Sequence, residues 1–203
     1  MLIDHLVYAV PSLPAAATEI AERLGVRAQA GGKHIGLGTH NALLALGPQT
    51  YLEIIAVDPE QPEPPASRPF GIDSVGHGSL VGWALACEDI DAAVAGARGH
   101  GYDPGDVVDG QRTRPTGTVL RWRSTSATAN SLVPFLISWD DTEHPARSAP
   151  RGLTLETFHI EHPDPASLAP FLTALGADVE IKPAAAAALV ARLSGPNGSA
   201  VLR

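Results

Sequence analysis

One order of segments recurs three times along this chain: a short apolar strand, a capped helix, then extended stretches separated by turns. Strand side chains alternate between two faces and helical ones repeat every three to four residues, so each such unit has a sheet face and a helix stripe to bury together. In the first unit the strand spans residues 2–10. Ser12 caps a helix with Pro14 in its first turn and Ala16, Ile20 and Leu24 on one face, and Gly25 ends it. Extended stretches follow at 27–38, 41–46 and 51–57, the last two separated by Gly47-Pro48-Gln49. A proline-rich linker, 58–67, comes next.

The second unit has a strand at 80–87, a helix capped by Asp89 and stopped by Gly99 or Gly101, and extended segments at 102–108, 116–124 and 132–139. After a second linker at 140–150, the third unit has a strand at 153–161 and a helix with Asp164 as cap and Pro165 in its first position. Gly176 ends that helix, and strands follow at 179–182, 189–194 and 199–202. The Gly195-Pro196-Asn197-Gly198 run marks the last turn. The units divide the chain as 1–58, 80–140 and 152–203. The expected fold class is α+β: repeated βαβββ units forming curved, mixed, mainly antiparallel sheets around a cavity, with helices outside.

Two strands of the first unit each place a polar group on an apolar face. His5 shares its face with Ile3, Val7 and Ala9, and Glu53 shares one with Tyr51 and Ile55. A carboxylate in such a setting is costly to bury unless it is paired, solvated in a cavity or bound to a cation. His5 has two readings: a histidine hydrogen-bonded to backbone, or a metal ligand. His40 and Asn41 are candidates for a ligand pocket, Asn41 being equally suited to a turn, and Arg112 and Arg114 are candidates for an anionic ligand or for exposed hairpin positions. Trp83, Trp122 and Trp139 read as core or rim.

The net charge of −8, with 14 basic residues that form no run, disfavours nucleic acid. The single cysteine, Cys87, precludes a disulfide within the chain and reads as a small packed hydrophobe. The first residues lack a signal-peptide pattern and no segment is apolar enough to span a bilayer, which gives the expectation of a cytoplasmic protein without a membrane partner. Gly-x-Ser-x-Gly and Walker motifs are absent, and Gly36-Leu37-Gly38 lacks the context of a dinucleotide fingerprint, so no nucleotide cofactor is expected.

Repeated βαβββ units with His in the first strand and Glu in the fourth resemble the vicinal oxygen chelate superfamily. The run His34-Ile35-Gly36-Leu37-Gly38-Thr39-His40-Asn41, then Tyr51-Leu52-Glu53-Ile54-Ile55, Arg114-Pro115, Leu120-Arg121-Trp122-Arg123 and Pro134-Phe135-Leu136-Ile137, is similar to its glyoxalase-like domain proteins. The resemblance implies four metal ligands, from the first and last strands of two units. His5 and Glu53 match the first pair. In the second unit Gly82 stands opposite His5 and no carboxylate occurs in the last strand before Asp140. Glu156 of the third unit is the candidate that restores one ligand. The implied cofactor is a divalent metal (Zn, Mn, Fe, Ni or Mg), held by His5, Glu53 and Glu156, with Glu53 also catalytic.

Two functions follow as expectations. One is metal-assisted lyase, isomerase or dioxygenase-type chemistry on a small oxygenated substrate, contacted by His40, Asn41 and Arg114. The other is metal-free binding or sequestration of a small molecule, as in the bleomycin-resistance branch. Since two units complete a cup in this superfamily, the third must pack within the chain or find a partner chain, and a homodimer is expected.

Overall fold

The computed structural model describes residues 1–114, 117–126, 131–139 and 141–203. Pro115, Thr116 and Asp140, which the sequence reading assigned to a motif, a strand start and a linker, lie outside these. Element order is β1 (Leu2–Ala9), α1 (Leu13–Leu24), β2 (Gln29–His34), β3 (Thr39–Ala45), β4 (Tyr51–Val57), β5 (Ser79–Ala86), α2 (Ile90–Gly99), β6 (Val107–Thr113), β7 (Val119–Thr125), β8 (Phe135–Ser138), β9 (Thr154–His162), α3 (Pro165–Ala174), β10 (Glu180–Pro183), β11 (Ala188–Gly195) and β12 (Gly198–Leu202). The linkers run on to β5 and to β9 and carry short 3₁₀ segments, Pro69–Ser74 and Pro145–Arg147.

Eight strands close into a barrel in the order β1-β4-β3-β2-β6-β7-β8-β5. Each half follows one rule: the first strand runs parallel to the last (β1 with β4, β5 with β8), and the other pairs within the half are antiparallel. The halves join along β1 and β5, and meet again where β2 and β6 pair at Lys33 and Thr113. This is the α+β architecture of curved, mainly antiparallel sheet around a cavity that the repeats predict. Alternation sorts the barrel strands cleanly. Val7, Ala9, Ile55, Ala84, Phe135 and Ile137 gather on the inside, while Leu6, Leu52, Ile54, Trp83, Leu85 and Leu136 join the outer core with the helices.

The third unit keeps the βαβββ order but pairs its strands differently. Its sheet runs β10-β9-β11-β12, so β9 is parallel to the strand immediately after α3 and antiparallel to β11. Its apolar face does not wait for a second chain. Ile160, Leu189, Ala191, Leu193 and Leu202 bury against the outer core of the barrel, Phe158 packs its ring edge-on at 5.1 Å from Trp83, and the Leu80 amide donates to the Arg203 carbonyl. One core therefore serves both sheets.

Turn chemistry explains most boundaries. The Ser12 and Asp89 side chains accept from the amides of Ala15 and Ala92, and Gly25 closes α1 at φ 82°. Asp164 occupies the cap position of α3 but makes no capping hydrogen bond. β6 begins five residues later than the sequence pattern places it. The Asp103 carboxylate, held by Arg98, accepts from the Gly105 amide and keeps 103–105 in a turn. Cys87 lies half-buried and its thiol donates to the Ile137 carbonyl at 3.3 Å. Among the described residues no helix is long and apolar enough to cross a membrane.

If the second sheet and the barrel share one core, Leu193→Ala, at a fully buried site on β11, should lower the stability of the whole chain. The expected loss is about 2–5 kcal/mol in a single cooperative urea transition. Two separate transitions, with only one of them shifted, would contradict a shared core.

Candidate active site

The barrel interior holds a cavity of about 320 Å³. Its ionisable and amide groups come from the first unit, with one residue from β6: His5 on β1, His34 on β2, Thr39 and Asn41 on β3, Glu53 on β4 and Arg112 on β6, and the hydroxyls of Ser124, Thr125 and Ser126 border it from the end of β7. Its apolar side comes from Ile55, Phe70, Trp122, Phe135, Ile137 and Trp139. Phe70 reaches this wall from the first linker, where it adopts φ 60°. Its ring lies against Gly82, at which a Cβ would sit only 2.8 Å from Phe70 Cε1. The linker is tied down by Arg68, whose guanidinium donates to the Gly38 carbonyl and to the carboxylates of Glu63 and Asp73.

His5 and Glu53 converge in this cavity, with His5 Nε2 3.7 Å from Glu53 Oε2. On its other side the imidazole donates from Nδ1 to Asp4 Oδ1 at 2.7 Å. That bond sets the neutral tautomer and leaves Nε2 open toward Glu53. The same Asp4 carboxylate accepts from Trp139 Nε1 and from His144 Nε2, each at 3.0 Å on Oδ2. Burial by itself would raise the Asp4 pKa, but the hydrogen bonds and charges of His144 and His5 outweigh it and bring the carboxyl down to about 2. A register shift in the β1–β5 pairing between Ile3 and His5 lets consecutive residues touch.

Glu53 is oriented from a third side. Asn41 Nδ2 donates to Oε1 at 2.6 Å and lies 3.3 Å from His34 Nε2, while His34 Nδ1 meets Thr39 Oγ1 at 2.9 Å. The reverse orientation of the amide would set two acceptors at 2.6 Å, so this one is fixed. Asn41 Oδ1 is thereby left without a hydrogen-bond partner, turned toward Gly31, where a Cβ would collide with it. Burial pushes the His34 pKa below its ordinary value, the Glu53 charge opposes this, and Arg112 adds to it. Tyr51, stacked on His5 with ring centroids 4.6 Å apart, is pushed well above the ordinary tyrosine range by burial and by Asp4 and Glu53. Glu53 Oε2 is the carboxylate oxygen left open to the cavity.

The remaining sequence candidates stand elsewhere. His40 lies between the cavity residues Thr39 and Asn41 and faces the other side of β3. Arg114 follows the end of β6 and donates to Ser148 Oγ at 2.8 Å beside a second depression, which shares Arg112 with the cavity but none of its other residues. Glu156 is exposed on β9 in the second sheet, where it accepts from Ser194 Oγ, so it does not join His5 and Glu53. The second sheet packs on the outside of the barrel, which removes every third-unit side chain from the cavity. Sequence reading missed Asp4, His34, Phe70 and His144. His34 belongs to the run that carries the family likeness, and its pairing with Asn41 seven residues on was the available signal.

The donor set does not fit the four-ligand metal that the resemblance implies. The second unit offers Gly82, Ala84, Phe135 and Ile137 where ligands would have to stand, and His34 Nε2 is engaged by Asn41. Among the described residues no group of three or more His, Cys, Asp or Glu is placed to hold a metal ion.

The family profile of the glyoxalase-like domain matches residues 3–176. No curated protein matches the sequence. A crystal structure of a hypothetical protein from Staphylococcus aureus is similar over 99% of this chain and 84% of its own, at 15% identity and a TM-score of 0.65, so the arrangement of both sheets recurs there. Methylmalonyl-CoA epimerases are more distant. A Streptomyces coelicolor variant in complex with 2-nitronate-propionyl-CoA has 18% identity, 71% and 99% coverage and a TM-score of 0.49. The Mycobacterium tuberculosis protein has 17%, 70% and 88%, and 0.45.

The low Asp4 pKa has a measurable consequence. Its folded value lies below the unfolded one of 3.8, so the stabilisation is complete above the unfolded value and disappears as pH falls through about 2. The shift is worth about 2 kcal/mol at neutral pH. Asp4→Asn should therefore lower stability at pH 7 by about that amount, and urea unfolding at a series of pH values should show a flatter acid limb between about pH 4 and pH 2.

Proposed function

The chain belongs to the glyoxalase-like domain family of the vicinal oxygen chelate superfamily, and we propose that it is an isomerase or lyase that moves a proton on a small oxygenated molecule inside the barrel. The observation that carries this reading is the line Asp4–His5–Glu53. A charged, fully buried carboxylate fixes the imidazole, and the imidazole nitrogen and a carboxylate oxygen then face one point from 3.7 Å apart. That separation is too long for a direct hydrogen bond and suits two acceptors flanking a substrate hydrogen or a water.

In the proposed step Glu53 Oε2 takes a proton from a carbon next to a carbonyl. The C–H electron pair moves onto the carbonyl oxygen as an enolate. Return of the proton to a neighbouring atom gives an isomer, and loss of a leaving group from the next carbon gives the lyase outcome. Asn41 holds Oε1 so that Oε2 keeps its direction, and His5 Nε2 is the second proton acceptor. The apolar wall of Phe70, Phe135 and Trp122 holds the body of the substrate and excludes water. A divalent cation meeting only His5 and Glu53 is expected to bind weakly.

The test is solvent exchange. Small aldehydes, ketones and oxo acids are incubated with the protein in deuterium oxide, and loss of the proton next to the carbonyl is followed by proton NMR. Wild-type protein should exchange at least one of them, Glu53→Gln should be slower by about 100-fold or more, and a native fold of the variant is checked by circular dichroism. Exchange that is equally fast in Glu53→Gln, or none with any compound, would remove the proton-transfer reading. Binding without exchange would favour sequestration, which the apolar wall of Trp122, Phe135, Ile137 and Trp139 suits. A further expectation concerns metal: prolonged chelation should leave the exchange rate unchanged, and calorimetric titration with zinc or manganese should show weak binding that His5→Ala and Glu53→Gln both abolish.

A further inference from the structure

Among the described residues two arginines are buried, Arg68 and Arg112. Arg68 is satisfied in the usual way for a buried cation, by two carboxylates and a backbone carbonyl. Arg112 has no such partners. It is 3% exposed, on β6, and among the described residues its guanidinium makes one hydrogen bond, from Nη1 to the Gly31 carbonyl, and no ion pair. Glu53 acts on it only at longer range, through its charge. A guanidinium has five N–H donors, is not deprotonated in proteins, and is costly to bury unpaired. This one borders the same cavity as His5 and Glu53.

We propose that Arg112 receives a carboxylate of the substrate, so that the cavity takes a small monocarboxylate with an apolar body and a carbonyl next to the reacting carbon. This rests on the reading of the cavity as the active site. Charge balance favours a monoanion: the cavity already contains the Glu53 carboxylate, and a phosphate dianion would add two negative charges where one cation waits. Geometry favours a carboxylate as well, because the planar donor fork matches its two oxygens. The apolar body then lies on Trp122 and Phe135, and among the described residues Arg112 is the one Lys or Arg side chain that lines the cavity with Glu53. Gly31 is part of the device, since a side chain there would displace Asn41 and crowd the Arg112 Nη1 that its carbonyl holds.

The probes are phenylacetate, its uncharged analogue phenylacetamide, and inorganic phosphate. Binding is read from the fluorescence of Trp122 and Trp139, which both line the cavity. Phenylacetate should bind at least about tenfold more tightly than phenylacetamide, as expected for a charge-assisted bidentate pair, and phosphate should not displace it. Arg112→Gln should reduce the acid to the level of the amide. Should that variant fail to fold, the arginine Nε–H signals of the wild-type protein give the same answer: one must shift with phenylacetate and stay in place with phenylacetamide. Equal binding of acid and amide, no binding of either, a preference that survives in Arg112→Gln, an unmoved arginine signal, or tighter binding of phosphate would each overturn the proposal. Glu53→Gln separates it from the proton-transfer reading, because that variant should keep the preference for the acid while losing exchange. A carboxylate preference in a protein that exchanges nothing leaves the Arg112 site standing alone, and exchange without the preference removes only the carboxylate.

Discussion

Asp4 is the hinge of the whole arrangement. A carboxylate with no solvent exposure persists in a folded chain only if its charge is met, and this one is met by donors from three parts of the sequence: the next residue of β1, Trp139 just past β8, and His144 in the second linker. Satisfying it draws the end of the second half of the barrel onto the first strand and seats the Pro145–Arg147 segment against Leu43, Ala45 and Tyr51. The tautomer of His5, and with it the open nitrogen in the cavity, is a by-product of the same bonds. Stability and site geometry thus draw on one buried charge.

The barrel is symmetric in topology and asymmetric in chemistry. Both halves obey the same strand-pairing rule, yet the first contributes His5, His34, Asn41 and Glu53 to the cavity and β5 and β8 contribute glycine, alanine and large apolar residues. Loss of side-chain volume at Gly82 is answered by Phe70, which enters from the linker and fills the space against the strand. The result is a cavity with a proton-accepting side and a dry side. In such a low-dielectric cavity the charges of Glu53 and Arg112 are felt more strongly than in water.

Much of the fold was legible because it rests on local physics. Periodicity and caps located the three α-helices of the described residues, and alternation on β1 and β4 put His5 and Glu53 on faces shared with apolar side chains whatever the partner strands were. The start of β6 was not legible, since the run 102–108 looks extended until the Arg98–Asp103 pair shows that it is a turn. That shift matters for the site. With β6 at Val107–Thr113, Arg112 is an interior strand residue and Arg114, the arginine that the sequence puts forward for the substrate, falls beyond its end. The third unit misled in a similar way: its order of elements repeats, but the order of its strands in space does not.

The sequence by itself determined which residues are apolar, where the helices lie and in what order strands follow them, and that His5 and Glu53 occupy faces from which a polar group must find a partner. It could not determine what that partner is. Asp4 and His144 are 140 residues apart, Glu53 and Arg112 are on strands of different halves, and Glu156 looks equivalent to His5 until its strand is seen in the outer sheet. Only barrel closure brings Asp4 to His144, sets Glu53 and Arg112 on one cavity and sends Glu156 outside, because which strands become neighbours depends on burying every unit's apolar face at once, and no single unit contains that information.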